Sequence, residues 1–365
     1  MKTRAIHDLS ALDALQDRWR YVYMSDTNAT VFQSWGWLRG WLGATEDPWT
    51  VLVVEREAEP RPVGFFAFYT KASNSRIWGL EDAEVHLAGD PLTDYSGILC
   101  LAEYEKPVVS ALGDYISANL RSCRFMLREI ADPRLLKMVG DFDRRRHSVQ
   151  EKRRTPCPRV ELPDSWERFL GSSIPSGFAK TLKRKLTKSA RMGCVVTDGN
   201  DAVIDDHIET FLDMYEARWG TLGPARRRQF QVTLISCHHE GVLETKMLMY
   251  EQRTVAIQVC LLDERNRVYH FYNGGRHPGY DHLSPGVVLH GHCIREAIEK
   301  GFVVYDFLRG AESYKYSYGA RDVFNRNFVV EPNAWGYRLR RQTRGFLRSA
   351  RKTLRGLRGG GRGKS

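Results

Sequence analysis

Two stretches of the sequence hold residue types whose order could do chemistry. The first is Asn273-Gly-Gly-Arg-His-Pro-Gly-Tyr-Asp-His-Leu-Ser-Pro-Gly286. Ser284 followed by Pro285 predicts a helix start: a hydroxyl N-cap, then a proline where its missing N–H costs nothing. Gly286 leaves the backbone open to close approach. A strand, a glycine-containing loop and a helix N-terminus in succession offer free N–H groups and a positive dipole end, which suit a pyrophosphate. The same residues also suit a purely structural helix start. The second stretch holds Asp306, Glu312, Tyr314 and Lys315. Asp306 is expected at the C-terminal end of a strand, where open α/β sheets place their chemistry. An acid there could act as a base, and a neighbouring tyrosine could protonate a departing thiolate. A structural cluster of caps and salt bridges is the alternative.

Other chemistries find little support. The chain has no GxGxxG and no GxSxG, which removes the usual dinucleotide and α/β-hydrolase signatures. Its end, Gly359 to Ser365, resembles a P-loop, but Arg358 stands where the first glycine is required and no strand precedes it. His277, His282, His290 and His292 cluster in sequence. Histidines two apart on a helix point about 200° apart, and no HExxH or cysteine pair accompanies them, so no metal is expected.

The elements that must position these residues follow from periodicity. Leu9, Leu12, Leu15, Trp19 and Val22 predict a helix over 8–24. Ser34 is the expected N-cap of an aromatic helix over 34–43. Strands are expected at 50–55, 62–69, 98–101 and 125–130, with a helix over 103–120. The charged and proline-rich stretch 144–163 is where a domain boundary is expected, dividing 1–155 from 156–332. In the second half, a basic helix over 165–191 is broken at Pro175, and a short strand spans 194–197. Helices over 201–219 and 225–240 lead into three strands at 243–250, 254–263 and 267–273. A helix over 285–300, a strand over 302–308 and a last strand near 324–330 complete the half. Both halves share one order of elements, consistent with a divergent duplication. The fold class is α+β or α/β, with mixed sheets flanked by helices.

Composition narrows the setting. A chain of 365 residues that is 42% hydrophobic suggests two soluble globular domains, and no apolar run is long enough to cross a membrane. The seven cysteines are widely spaced and form no CxxC, which suggests reduced thiols and, with no signal-peptide core at Met1, a cytoplasmic protein. The net charge is +11, yet eleven Lys/Arg and no acid lie between Trp335 and Ser365. The basicity therefore belongs to the tail, 333–365, and not to the body. Leu339, Phe346, Leu347, Leu354 and Leu357 fall among the tail arginines at partly helical spacing, which fits an anionic membrane surface at the inner face of the membrane. A solvated tail is the plain alternative, and few aromatics for base stacking make nucleic acid the weakest of the three partners.

The run Asn273–Ala320 closely resembles the cellulose-biosynthesis-associated (CelD/BcsL-type) branch of the GNAT acyltransferase superfamily. The residues that carry the likeness are Leu283-Ser-Pro-Gly286, Arg295-Glu-Ala-Ile-Glu-Lys-Gly301 and Asp306-Phe-Leu-Arg-Gly-Ala-Glu-Ser-Tyr-Lys315. Phe178 to Leu186, Tyr215-Glu-Ala-Arg-Trp219, Phe32-Gln-Ser-Trp-Gly-Trp37 and Asp94-Tyr95 are similar to further motifs of that branch. The resemblance implies a tandem GNAT-like fold, as in the related Fem-type transferases, with a degenerate first half and an acyl-CoA-binding second half. It implies acetyl-CoA or another acyl-CoA as co-substrate, held by Asn273, Gly274, Ser284, Pro285, Gly286 and Val287, and no metal. The usual Arg/Gln-x-x-Gly-x-Gly/Ala phosphate signature is absent, and Ser-Pro-Gly stands in its place. By position, Asp306 or Glu312 would orient or deprotonate the acceptor, and Tyr314 or Tyr316 would protonate the thiolate. Gln33, Trp35, Asp94, Tyr95, Arg218 and Lys315 are the expected contacts of a small-molecule or carbohydrate acceptor. A non-catalytic scaffold and a Fem-like transfer from aminoacyl-tRNA are the rival readings.

Overall fold

The computed structural model describes residues 1–57, 60–72 and 83–333. Its strands, in chain order, are β1 (Lys2–Ile6), β2 (Trp49–Glu55), β3 (Pro62–Ala72), β4 (Ala83–Leu87), β5 (Leu99–Cys100), β6 (Arg124–Ile130) and β7 (His147–Glu161). The second half adds β8 (Val195–Asp198), β9 (Leu243–Tyr250), β10 (Arg253–Asp263), β11 (Val268–Arg276), β12 (Val304–Asp306) and β13 (Arg321–Pro332). All join one mixed sheet in the order β1-β2-β3-β4-β6-β13-β7-β12-β11-β10-β9-β8, with β5 on β3. β10 is apolar from Val255 to Leu262 apart from Gln258, and every one of those residues is buried; this is the pattern of a strand covered on both faces.

The two halves repeat one succession. Each has an edge strand, helices, three meander strands, a long helix (Glu105–Asn119 or Pro285–Glu299), a strand, a short helix (Pro133–Gly140 or Ser313–Ser317) and a last strand. The last strands are exchanged. β13 lies between β6 and β7, antiparallel to both, and β7 pairs in turn with β12. The stretch in which a boundary was expected is thus β7, an inner strand of the sheet. The carbonyls of its prolines still serve the chain that follows β12: Phe307 N–H donates to Pro158 O at 2.9 Å and Gly310 N–H to Pro156 O at 3.0 Å.

Helix Trp35–Ala44 starts at Ser34, whose hydroxyl accepts from Trp37 N–H, as expected. Its Gly36 and Gly40 lie against helix Pro224–His239. A Cβ on Gly40 would stand 2.9 Å from Thr233 Cα and 2.7 Å from Ser236 Cβ, so only glycine admits this close contact between the halves. The first predicted helix is two, Leu9–Asp13 and Gln16–Ser25, and the basic one breaks before Ser176 as anticipated. β1, β4 and helix Pro133–Gly140 were not anticipated. The tail helix read over 335–357 lies outside the described residues.

Candidate active site

β11 and β12 run parallel through Val268↔Val304, Tyr269↔Tyr305 and His270↔Asp306, and then part. The chain beyond Asp306 stays with β7, while β11 stays with β10 as far as Arg276. A bulge sharpens the parting. Cys260 faces Phe271 and Val259 faces Asn273, so Tyr272 is an extra residue that bends β11. Its hydroxyl donates to Leu92 O at 3.0 Å, which ties the bend to the first half.

Two cavities open at this wedge. One, of about 330 Å³, is lined by Lys185, Gly275, Ser284, Gly286, Val287 and Tyr318 among others. The other, of about 310 Å³, lies where the halves meet, against Leu92, Asp94, Tyr215, Trp219, Arg309 and Glu312. Arg218, Phe271, Gly274 and Tyr314 line both.

The first cavity ends at the start of helix Pro285–Glu299. Pro285 occupies the first helical position, as the sequence suggested, but Ser284 is not a hydroxyl cap. Its backbone is left-handed (φ 54°, ψ 49°), and its hydroxyl makes no capping hydrogen bond. The amides of Val287 and Val288 both donate to Ser284 O, at 3.0 and 3.1 Å, and leave the Gly286 N–H without a partner among the described hydrogen bonds. A Cβ on Gly286 would meet nothing within 4 Å, so the space before this amide is open. Helix Ser176–Arg191 supplies charge beside it. Leu182 and Leu186 approach Gly291 so closely that a Cβ there would sit 3.1 Å from their methyls. That contact brings Lys185 to the cavity wall and lets Lys188 Nζ donate to His282 O at 3.1 Å.

His290 closes the same cavity from behind. It is buried against Phe271, Phe307, Tyr314 and Tyr318, with Nδ1 3.1 Å from the Tyr305 hydroxyl. Burial, then the nearby charge of Lys315, push its pKa down to about 3, so the ring is neutral.

At the second cavity, Lys315 is a staple. Its ammonium donates to Arg309 O (2.8 Å) and Gly310 O (3.0 Å) and pairs with Glu312 (2.9 Å), and its side chain is 3% exposed. Burial works to raise the Glu312 pKa, but the hydrogen bond and charge of Lys315 prevail and hold the carboxyl below its ordinary range. Tyr314 is pushed the other way, by burial and then by the Glu312 charge, and stays protonated. Asp94 is buried and raised by desolvation, tempered by its ion pair with Arg309. Arg309 also donates to Pro91 O at 3.0 Å.

The structure brings together Asn273, Gly274, Ser284, Gly286, Val287, Arg218, Glu312, Tyr314, Lys315 and Asp94 at the cavity walls. It sets the remaining predicted residues behind or apart from them. Asp306 lines neither cavity: it accepts from the Tyr95 hydroxyl and Leu308 N–H, both at 2.7 Å, and holds the fork of the wedge to the first half. Tyr316 donates to exposed Asp322 at 2.8 Å. Gln33 bonds Tyr95 O at 2.8 Å, Trp35 sits edge-on to Trp19, and Pro285 is buried behind the helix start. Arg309, His290 and Tyr272 escaped the sequence reading as site residues. Arg309 had one signal, its place between a strand end and Gly310, whose φ of 106° demands glycine.

Among the described residues, no group of three His, Cys, Asp or Glu is placed to hold a metal, and no helix is long and apolar enough to cross a membrane. Residues 176–316 match the family model described as acetyltransferase (GNAT) domain. The fold is GNAT-like. The chain is similar to the crystal structure of FemX, with 10% identity over 90% of this chain and 97% of that one and a TM-score of 0.60. It is also similar to the C-terminal domain of a putative lysylphosphatidylglycerol synthetase from Agrobacterium fabrum, at 11% identity, 87% and 92% coverage and a TM-score of 0.56. A tandem GNAT protein from the clavulanic acid biosynthesis pathway matches at 9% identity, 91% and 99% coverage and a TM-score of 0.51. No curated protein matches the chain. The wedge and both cavities are built chiefly from the segment that the GNAT model matches, with Pro91, Leu92 and Asp94 added by the first half.

Proposed function

We propose that the protein is an acyl-CoA-dependent N- or O-acyltransferase, acetyl transfer being the simplest case, and that its acceptor is a sugar, amino sugar or other cell-envelope precursor. The observation that carries the reading is the parting of β11 from β12 into two cavities that meet at Tyr314. The residues present fit the donor: an open helix start, whose Gly286 N–H has no partner among the described residues, and Lys185 beside it suit a pyrophosphate. The bound thioester would supply an activated acyl carbon and a thiol leaving group. Tyr314, held protonated at the border, is placed to give its proton to the departing sulfur. Glu312, held ionised on the other side, is placed to take the acceptor's proton directly or through water. Aromatic walls with nearby carboxylates and Arg218 give the second cavity the mixed lining that a polar ring compound needs. The sequence resemblance to the cellulose-associated branch supports the envelope-precursor class, and the basic tail supports work at the inner face of an anionic membrane.

Thermal unfolding with millimolar acetyl-CoA tests the donor. At 100 times its dissociation constant a ligand adds about 2.7 kcal/mol, a rise of several degrees. Gly286→Glu, whose side chain enters open space, should fold and lose that rise. A wild-type chain that no acyl-CoA stabilises would sink the reading.

A further inference from the structure

Helix Ser176–Arg191 carries more charge than the donor cavity can use. Lys180, Lys183, Arg184, Lys185, Lys188 and Arg191 fall on it with no acid between them, and no described ion pair reaches any of the six. Lys185 lines the cavity and Lys188 ties down the loop before the helix start. Lys180, Lys183, Arg184 and Arg191 do neither and are exposed. Their spacing of three, four and eleven places them on one flank, about 16 Å long at about 1.5 Å per residue. A free donor inside the cavity touches only the residues that line it, so these four cations, on the outer face of the helix that walls it, are left for a larger partner.

We infer that this flank docks an acidic carrier protein, which delivers the acyl group on a phosphopantetheine arm threaded into the first cavity. The inference rests on the acyl-transfer reading above. Charge complementarity favours such a partner, since a row of cations with no described ion pair steers an acidic helix onto the helix that walls the cavity. Two other polyanions fit less well. The apolar residues of the helix turn inward: Leu182 is buried, Leu186 lies against Gly291, and Phe178 is edge-on to Tyr318. Among the described residues of this helix, no exposed aromatic ring is left for stacking single-stranded bases and no apolar edge for entering a lipid surface. In the transfer, the carrier's C–S bond breaks and a C–N or C–O bond forms. The acceptor's proton leaves through Glu312, and the carrier's sulfur gains one through Tyr314.

The test uses the full-length chain and a type II acyl carrier protein in apo, holo and acetyl-holo forms. The acetyl-holo form should bind most tightly, with an affinity that falls as salt rises. The triple change Lys180→Glu, Lys183→Glu, Arg184→Glu should weaken carrier binding roughly tenfold or more, yet keep the melting rise with acetyl-CoA. That retained rise shows that the variant folds; if it does not fold, Arg191→Glu at the helix end takes its place. A normal acetyl-CoA rise with no carrier binding, or with binding that the helix changes leave intact, overturns the carrier and spares the transferase. No acetyl-CoA rise, with carrier binding that the helix changes abolish, overturns the free-CoA donor and keeps the carrier. Transfer RNA or phosphatidylglycerol vesicles bound through this flank in place of the carrier also overturn the inference.

Discussion

The two halves build the same wedge and fill it differently. In the first half β4 and β6 run parallel through Glu84↔Arg124, Val85↔Phe125 and His86↔Met126, as β11 and β12 do in the second. Past that point the first half closes itself. The segment after β4 returns so that Ser96 N–H donates to Glu129 O at 2.8 Å, and Trp19, Phe32, Gln33 and Phe65 crowd in. About 20 Å³ remains, against about 330 and 310 Å³ in the second half. Below the plug, Arg134 is 1% exposed and paired with Asp26 (2.8 Å) and Asp132 (2.9 Å). The helix starts differ in the same sense. Glu103 and Glu105 precede and open helix Glu105–Asn119, where they occupy the positive dipole end, whereas helix Pro285–Glu299 has no acid in its first turn. A site arises in this architecture where side chains are withheld.

Breaking the plug should have the largest effect. Arg134→Leu leaves two buried carboxylates without their cation and should cost about 3–5 kcal/mol, read as a lower urea midpoint, with acetyl-CoA affinity unchanged while the chain is folded. Tyr314→Phe should do the reverse: unfolding as wild type, and kcat lower by roughly a hundredfold. A smaller effect separates the halves by pH. His290 holds its proton only below about pH 3 when folded, against 6.5 ordinarily, so between those values the unfolded chain binds more protons and stability is lost as pH falls. His290→Asn should flatten that acid limb by about 2 kcal/mol between pH 6.5 and 5; an unchanged limb would show that the ring is not buried neutral. Smallest is a paired test of the helix starts. Lys185→Gln should raise the acetyl-CoA dissociation constant roughly fivefold, and Lys106→Gln, in the first turn of helix Glu105–Asn119, should leave it unchanged.

Much of this was legible in local pattern. The three strands from 243 to 273, the break at Pro175 and the helix from Pro285 follow from apolar spacing and proline alone, and the structure repeats them within a few residues. What local pattern missed depends on distant partners. β7 reads as a linker because Lys152, Arg153, Arg154, Pro156 and Pro158 are poor strand formers, and it becomes an inner strand only because β12 and β13 bond to it from far along the chain. The spacing of Ser284-Pro285-Gly286 points to an anion site, and the open helix start is there, but the serine closes the preceding turn with a left-handed backbone that its residue type does not announce. Asp306 drew attention by its place at a strand end. That the Tyr95 hydroxyl donates to its Oδ2 is a contact across 211 residues, which no spacing rule reveals.

The exchange of last strands also sets a timetable for synthesis. β6 has β4 on one side from the outset, but its other neighbour, β13, is translated about 190 residues later. At about 5–20 residues per second, a nascent first half waits roughly 10–40 s with that edge unpaired. An open strand edge recruits any extended chain that comes near, including another copy of itself. The plugged core of the first half, with its tryptophans and its buried arginine, can therefore be read as insurance, holding that half in shape on the ribosome until the strand that completes it arrives.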